Sequence, residues 1–347
     1  MTFRIPQDSK SKITTQIQKY LTLRNKAEMK IVDSNYIQAL SLYVKAFATN
    51  QKPFDTDIYN AAVCASLTGD DRLCARYINN LLKLGLNYKL IESNIAFQTF
   101  LNSQDWKMLR KRHENNNVQY TYNKNLRKVL DSLNEQDQYY RRRPKGYQLY
   151  IDSIRQIDTS NVHYLKRLIQ IYGFPNEYKI GISPQSIPSM PYDVLFIHQA
   201  KKGRVGQVYD FTPEIKNAMY KGSLDPRIGT GFIEHMNSNM ELYYSVNAIR
   251  MYVFDSSNTL YQKQLDELPS RVVDSAFFEE IIIPDSTEEN RINRIRAELG
   301  LESFNDYKKK VKYFSKDKRF LLSKIGGLIG IFINNPEKWK DLKQKTR

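Results

Sequence analysis

The stretch DTDIYNAAVCASLTGDDRLCARYINNLLKLG, residues 55–85, decides the fold. Its apolar residues recur at spacings of three and four, which is the pattern of amphipathic helices. The polar turn Thr68–Asp70 interrupts this pattern, and Gly85 ends it. The stretch therefore predicts a hairpin of two helices, the first of them capped by Asp55.

The same pattern occurs on both sides of this hairpin. Before it, apolar residues from Tyr36 to Phe47 share one helix face, and after it Tyr88–Leu101 and Gln104–His113 form a third predicted pair. The second helices start about 35 residues apart, which resembles the 34-residue period of tetratricopeptide repeats. Residues 10–113 are therefore predicted to be tetratricopeptide-like helical repeats. Such hairpins bury their faces by stacking and leave a concave groove. The repeats therefore either bind a protein partner in this groove or form a structural cap for the next domain.

A polar break at 114–117 separates these repeats from a second predicted domain, residues 118–305. The strands Arg250–Phe254 and Leu260–Tyr261, around a turn at 255–258, predict a β-hairpin. The fold class is thus mainly α, with N-terminal tetratricopeptide-like helical hairpins followed by an α-helical domain with a small β-hairpin. Helices are predicted at Tyr120–Tyr140, Val162–Tyr172, Val194–Ala200, Pro213–Tyr220, Arg291–Leu299 and Phe304–Tyr313.

The net charge of +16 is unevenly placed along the 347 residues. Residues 1–117 carry +7, residues 118–305 carry no net charge, and residues 306–347 carry +9. This last segment is predicted to be a basic helical tail, in which Lys308–Arg319 interleaves basic and aromatic residues. Such a run binds nucleic acid or an acidic membrane surface, or is simply a solvated helix face. We expect no specific nucleic-acid partner, because a chain rich in Lys, Asn, Tyr and Ile gains charge from AT-rich codons.

No transmembrane segment is predicted. The longest apolar stretch, Phe320–Ile333, is shorter than the roughly 20 residues that a spanning helix needs, and it predicts a buried or an interfacial C-terminal helix. Cys64 and Cys74 are expected to be buried free thiols, with a disulfide as the alternative. No signal peptide is visible after Met1, which favours the cytoplasm. The alternative is a periplasmic or surface location if a signal peptide has been removed.

Several short motifs stand in a recognisable order between residues 130 and 313. They are Asp137–Arg141, Asp158–Asn161, Tyr172–Pro175, Ile180–Gly181, Ile197–Gln199, Arg294–Leu301 and Tyr307. This order resembles a bacterial domain of unknown function that is commonly found behind helical repeats. The resemblance covers about half of the chain. It implies a domain architecture like the one predicted above and no particular activity.

The chain also departs from the pattern of that domain. After the histidine, the family tends to carry an Asp-Arg pair and a Tyr-Gly-Thr-Gln stretch, where this chain has Asp225-Pro226-Arg227 and Asn239–Tyr244. An acidic residue usual just past the histidine is replaced by Ala200–Lys202. A catalytic site of that family would therefore be incomplete here.

His198 is the leading candidate for chemistry, because a histidine takes and gives protons near neutral pH. Asp137, Arg141 and Asp158 are the candidate groups around it, since they can orient its ring or hold an anionic substrate. The alternative is structural. In that case His198 is a core residue, Asp158 and Asn161 cap a helix, and Asp137–Arg141 is an ordinary ion pair of one helix.

Arg227, together with Asp225, is a further candidate for the same site, although Pro226 and the glycines 229 and 231 predict a tight loop there. No metal site or cofactor is predicted, because the chain has no His-x-x-x-His, Cys-x-x-Cys or phosphate-loop motif. No Gly-x-Ser-x-Gly elbow occurs either.

Three hypotheses for function follow. The first is a protein-interaction scaffold that engages a partner through the repeat groove, and the absence of a strong catalytic motif favours it. The second is a hydrolase-like enzyme that uses His198 as acid/base with the four supporting residues. The third is association of the basic tail with nucleic acid or an acidic membrane. No oligomeric state is predicted.

Overall fold

The computed structural model describes residues 13–115, 119–184, 187, 190–237, 249–256, 275–280, 282–322 and 328–345. This part of the chain is mainly helical and carries one small three-stranded sheet, so the predicted mainly α class is confirmed. The helices up to residue 115 are α1 (Thr15–Val32), α2 (Tyr36–Thr49), α3 (Asp55–Leu67), α4 (Asp71–Lys83), α5 (Tyr88–Glu92) and α6 (Gln104–Glu114).

The hairpin predicted from residues 55–85 is the pair α3 and α4. Gly69 lies between the two helices with a φ of 75°, a left-handed conformation that glycine adopts without strain. The Asp70 side chain then caps α4 by accepting a hydrogen bond from the Leu73 backbone N–H at 2.9 Å. The predicted cap of α3 is wrong, because Phe54 occupies that position and Asp55 is the first helical residue.

The third predicted pair is only half helical. Its second member is α6, but α5 stops at Glu92 and two 3₁₀ turns follow, at Ile95–Phe97 and Phe100–Asn102. Asn94 accounts for the break, since its side chain accepts from the Ala96 backbone N–H and so competes with continuation of the helix.

Ten further helices are described after residue 119. They are α7 (Lys124–Arg141), α8 (Gly146–Leu149), α9 (Ile151–Tyr172), α10 (Glu177–Ile180), α11 (Asp193–Ile197), α12 (Thr212–Tyr220), α13 (Pro226–Asn237), α14 (Ser286–Glu298), α15 (Phe304–Lys316) and α16 (Pro336–Lys345).

Two of these helices correct the sequence analysis. The helix α9 begins eleven residues before the predicted start at Val162, so Asp158 and Asn161 lie inside it and do not cap it. The tight loop predicted around Pro226 is the first turn of α13. Proline suits that turn because its missing N–H has no helical partner there, and Asp225 caps the helix by accepting from the Arg227 N–H at 2.9 Å. Gly229 allows α12 to pack closely against α13, since a Cβ at this position would lie 2.5 Å from the Met219 sulfur.

The sheet has the strand order β2-β1-β3, with β1 at Ile249–Phe254, β2 at Phe277–Glu280 and β3 at Leu328–Ile333. The strand β1 pairs antiparallel with β2 and parallel with β3. The first strand of the predicted β-hairpin is thus confirmed. The second, Leu260–Tyr261, lies outside the described residues.

The helix predicted over Phe320–Ile333 is wrong, because its second half is the strand β3. Six consecutive residues of β3 pair with β1. Isoleucines and Gly330 are poor helix formers, whereas β-branched residues suit a strand, so the parallel ladder prevails over a helix. The predicted helical tail is therefore two helices, α15 and α16, separated by a strand.

Residues 317–322 lie across the N-terminal hairpins. The Asn60 side chain holds the backbone of Leu321 in both directions, donating to its carbonyl at 3.1 Å and accepting from its N–H at 2.7 Å. Asn94 donates to the carbonyl of Arg319, and the ring of Phe320 stacks on Tyr36 at 5.6 Å. The predicted domain boundaries are therefore not gaps in the core, since one buried apolar cluster includes residues from all three predicted segments.

Eight charged side chains form a buried ion cluster, which lies where those three segments meet. Its centre is Arg227, whose guanidinium contacts Glu28 at 2.8 Å and Asp225 at 2.7 Å. Arg227 also donates to the carbonyl of Leu322 at 3.1 Å. The members are Arg24 and Glu28 of α1, Asp57 of α3, Asp225 and Arg227 at the start of α13, Arg296 of α14, Glu302, and Lys310 of α15. The cluster thus ties five helices together.

The carboxyl groups of this region differ in pKa because their neighbours differ. Burial alone raises the pKa of Asp225, but the charges of Arg227 and Arg24 outweigh it and hold that pKa well below the usual range. Burial raises the pKa of Asp57 to about 6, and that of its neighbour Asp55 to about 7. Asp55 Oδ2 is buried without a hydrogen-bond partner among the described residues.

Replacing Arg227 by methionine should lower the free energy of unfolding by about 3–5 kcal/mol, because the carboxylates of Glu28 and Asp225 would stay buried without their main cation. Urea titration of the purified variant measures this. The matched control is Arg155→Met, whose exposed pair with Asp152 should change stability by less than about 1 kcal/mol. Equal effects of the two substitutions would show that the cluster does not hold the segments together.

The raised pKa of Asp55 makes stability depend on pH. The group binds its proton up to about pH 7 when folded but only to about 3.8 when unfolded, so its contribution to stability is present at pH 4 and is lost as pH rises to 7. Asp55→Asn removes this loss. We expect the difference in unfolding free energy, variant minus wild type, to increase by about 1–3 kcal/mol between pH 4.5 and pH 8. Urea titrations at each pH measure this difference. A difference that stays constant over this range would contradict the expectation.

Candidate functional site

Two of the predicted site residues, Asp137 and His198, are in direct contact. Asp137 lies in the last turns of α7 and is buried, and His198 directly follows the end of α11. The His198 Nδ1 lies 3.0 Å from Asp137 Oδ1 and 2.9 Å from Oδ2. The His198 side chain keeps 20% of its surface exposed. A buried carboxylate therefore holds one edge of a ring that is partly open to solvent.

Arg141, one helical turn after Asp137, joins this pair to α9. Its Nη2 donates to both oxygens of Asp158 at 2.7 Å, and its Nη1 donates to the Asp137 carbonyl at 2.7 Å and lies 3.0 Å from Asp137 Oδ1. Its Nε donates to the Tyr147 hydroxyl at 2.9 Å. Since a guanidinium has five N–H donors, Arg141 is fully engaged by the protein. It positions Asp137 and is not free to take a substrate anion, contrary to one expectation from the sequence.

Asp158 and Asn161 support the same arrangement from α9. Both side chains are buried, and Asn161 donates to the Leu133 carbonyl of α7 at 3.1 Å. Burial raises the pKa of Asp158, while the hydrogen bonds and charge of Arg141 act against the shift. The predicted caps are wrong, because Asp158 and Asn161 join α9 to α7 from inside the helix. The predicted ion pair of Asp137 and Arg141 within one helix is present.

A pocket of about 230 Å³ opens beside His198. This volume is below the range typical of drug-sized ligands, so the pocket suits a small molecule or the reacting group of a larger one. Its walls come from α7, α8, α11, α13 and the loop that follows α11. The lining residues are Arg141, Tyr147, Ile197, His198, Ala200, Gly203, Arg204, Val205 and His235.

The pocket has an excess of positive charge. Arg141 is balanced by its carboxylates, whereas Arg204 is exposed and has no carboxylate partner among the residues that the structure describes. The Arg204 guanidinium lies 5.0 Å from the centre of the Tyr147 ring. Because no acidic side chain lines the pocket, a bound anion would meet Arg204 without repulsion from its walls.

Arg227, the remaining predicted site residue, is not in this pocket. Its guanidinium lies in the buried ion cluster, where Asp225, Glu28 and the Leu322 carbonyl engage it. Asp225 belongs to the same cluster. The order of motifs along the chain predicted that these residues lie near His198. In the structure they lie at the start of α13, whereas the pocket is at the other end of this helix, where His235 lies.

Three residues of the pocket, Tyr147, Arg204 and His235, are not predicted from the sequence. His235 carries no motif signal, because Glu234–His235 is a common dipeptide. A weak signal existed for Arg204, which stands in a glycine-bracketed basic loop just after His198. Tyr147 follows the Arg-Pro-Lys-Gly stop of α7, and its position was visible only once α8 was placed.

The Asp137–His198 pair is suited to proton transfer. An ionised carboxylate only accepts hydrogen bonds, so Asp137 keeps the proton of a neutral His198 on Nδ1. The other nitrogen, Nε2, then carries the free lone pair and has no hydrogen-bond partner within the described ranges. No serine, threonine or cysteine lines the pocket, so the hydroxyl and thiol nucleophiles that these residues supply in many ester hydrolases are not among its side chains.

No family model, curated protein or solved structure matches this chain. The resemblance to the bacterial domain of unknown function therefore stays a prediction. Among the residues that the structure describes, no helix is long and apolar enough to cross a membrane. Within the same ranges, no group of three or more histidine, cysteine, aspartate or glutamate side chains is placed to hold a metal ion. Cys64 and Cys74 are free and buried.

Asp137→Asn should allow the neutral His198 ring to adopt both of its tautomers. In the wild type we expect neutral His198 to carry its proton on Nδ1, and in the variant the Nε2–H form should appear, because an amide can also donate to Nδ1. Two-dimensional ¹H–¹⁵N spectra of histidine-labelled protein distinguish the two forms. His163, exposed on α9, is the internal control and should not change. A wild-type His198 already in the Nε2–H form would contradict this geometry.

Proposed function

We propose that this protein is a hydrolase that acts on a small anionic ester and uses His198 for general acid–base catalysis. The observation that carries the proposal is the Asp137–His198 pair at 2.9 Å on the wall of a pocket that also holds the exposed Arg204. Arg204 attracts the anionic group, and His198 Nε2 takes the proton of an attacking water molecule. Asp137 and Arg141 are positioning residues in this scheme.

The scaffold hypothesis receives less support than it had from the sequence. Part of the face that the hairpins offer is covered by the chain's own residues 317–322, which Asn60 and Asn94 hold through backbone hydrogen bonds. A partner for this part of the hairpins would have to displace that segment. The exposed apolar side chains Ile37 and Ile95 remain available on other parts of the hairpin surface.

The tail hypothesis also loses support. Lys308 and Lys312 both pair with Glu280, and Lys310 is buried against Glu28. Arg319 pairs with Asp317. Much of the charge in this basic run is therefore used inside the protein and is not offered to an external polyanion.

His198→Gln should lower hydrolysis by about 10²–10⁴-fold, because glutamine matches the size of histidine but transfers no proton. The assay uses three chromogenic esters, namely p-nitrophenyl acetate, p-nitrophenyl phosphate and bis(p-nitrophenyl) phosphate. The matched control is His163→Gln, which changes an exposed histidine outside the pocket and should keep full activity. Thermal unfolding of both variants checks that each is folded.

The proposal fails if every ester is hydrolysed equally well by the wild type and by folded His198→Gln. It also fails if the wild type hydrolyses none of them and inorganic phosphate causes no shift in the NMR signals of His198. In either case the scaffold hypothesis becomes the leading one.

A further inference from the structure

A second histidine, His235, lines the pocket that His198 lines. It lies near the end of α13, exposed, whereas His198 follows α11, so the two rings come from different elements. The other two histidines are elsewhere, His113 packed against the Tyr88 ring and His163 on α9. Both residues therefore contribute to the wall of one small pocket.

The two histidines differ in their surroundings. His198 is held by the Asp137 carboxylate through Nδ1. The ring of His235 has neither a hydrogen bond nor an ion pair in the part of the chain that the structure describes, so both of its nitrogens are open to a bound group or to water. Asp137 therefore fixes one ring as a proton acceptor towards the pocket, whereas no protein group prevents the other ring from donating a proton to a bound group.

We propose that His235 is the general acid that completes the site, and that the substrate is a phosphodiester. The inference rests on the hydrolase function proposed above for His198. A phosphodiester carries one negative charge, which matches the single unneutralised guanidinium of Arg204.

The need for an acid follows from the leaving group. When a phosphodiester is hydrolysed, the departing alkoxide is a strong base and leaves readily only if it receives a proton as its bond to phosphorus breaks. Arg204 stabilises the negative charge on the phosphoryl oxygens, which both stages of the displacement share. The pocket is partly open to solvent, so the two ester substituents can extend outwards while the phosphoryl group is inside.

The proposed step balances as follows. A water molecule attacks phosphorus, its oxygen forms the new P–O bond, and His198 Nε2 takes one of its protons. The P–O bond to the leaving group breaks with its electron pair going to oxygen, and protonated His235 gives that oxygen its proton. The products are a phosphomonoester and an alcohol. His198 is left protonated and His235 neutral, and proton exchange with solvent restores both.

The test uses two diesters that differ in leaving group. Bis(p-nitrophenyl) phosphate releases a stable phenolate that needs little protonation, whereas thymidylyl-(3′→5′)-thymidine releases an alkoxide and has no 2′-hydroxyl to act as nucleophile. His235→Gln should lower hydrolysis of the dinucleotide at least 100-fold and that of the phenyl ester less than 10-fold. His198→Gln should lower both. His163→Gln is the control for both substrates.

The pH profile is a second readout that a structural role for His235 would not produce. Wild-type hydrolysis of the dinucleotide should show a bell-shaped dependence on pH, because one histidine must be neutral and the other protonated. In His235→Gln the fall at alkaline pH should disappear. For the phenyl ester, the wild type and His235→Gln should have nearly the same profile.

Each result decides between the two proposals. If the wild type cleaves only the phosphomonoester, and does so through His198, then the hydrolase function stands and the phosphodiester inference is overturned. If it cleaves only the neutral acetate, the anionic ester is not the substrate and both proposals fall. If both diesters lose activity equally in His235→Gln, His235 helps to bind substrate and is not the acid. If His198→Gln is as active as the wild type, both proposals fall together.

Discussion

The rest of the structure depends on the charges that Arg227 holds together inside the protein. Taking a guanidinium and its carboxylates out of water costs several kcal/mol for each ion, and this cost is offset only when each group keeps its partners at short range. The cluster meets this condition by drawing side chains from α1, α3, α13, α14 and α15. No smaller part of the chain contains the full set. Folding of the N-terminal hairpins and of the basic tail is therefore coupled to the middle of the chain.

The same cluster places the pocket. Arg227 lies in the first turn of α13, and His235 lies eight residues further along, which is about 12 Å at 1.5 Å per residue. Fixing the start of α13 in the ion cluster thus fixes where its far end presents His235. The guanidinium of Arg141 fixes α7 relative to α9 in a similar way, because it joins Asp137 to Asp158. The Asp137 carboxylate that contacts His198 is therefore held in place. The two arginines act as positioning groups for different walls of one pocket.

Apolar spacing predicted most helices, and it did so best where glycine and a capping residue marked the ends, as at Gly69 and Asp70. It failed where a polar residue had a long-range partner. Asp158 and Asn161 look like caps in the sequence because short polar residues prefer helix ends, and only the contacts with Arg141 and Leu133 show why α9 runs through them. The helix prediction for Phe320–Ile333 failed for a related reason, since the strand β3 in this stretch depends on pairing with β1. The sequence identified His198 and its three supporting residues in the site, but not His235 or Arg204. Which residues line a pocket depends on how the helices pack, and this packing produces no regular spacing of residue types along the sequence.

The place of β3 in the sheet has a consequence for synthesis of the chain on the ribosome. The central strand β1 can pair with its parallel partner β3 only after more than seventy further residues have been translated. Glu28 in the first helix pairs with Lys310, which is 282 residues later in the sequence. Contacts of such sequence separation close slowly, because the loop entropy must be overcome before the contact forms. The nascent hairpins can therefore acquire helices early, but their buried carboxylates have no full set of counter-charges until the last quarter of the chain emerges. Final packing of these elements therefore waits until Lys310 and β3 have been synthesised.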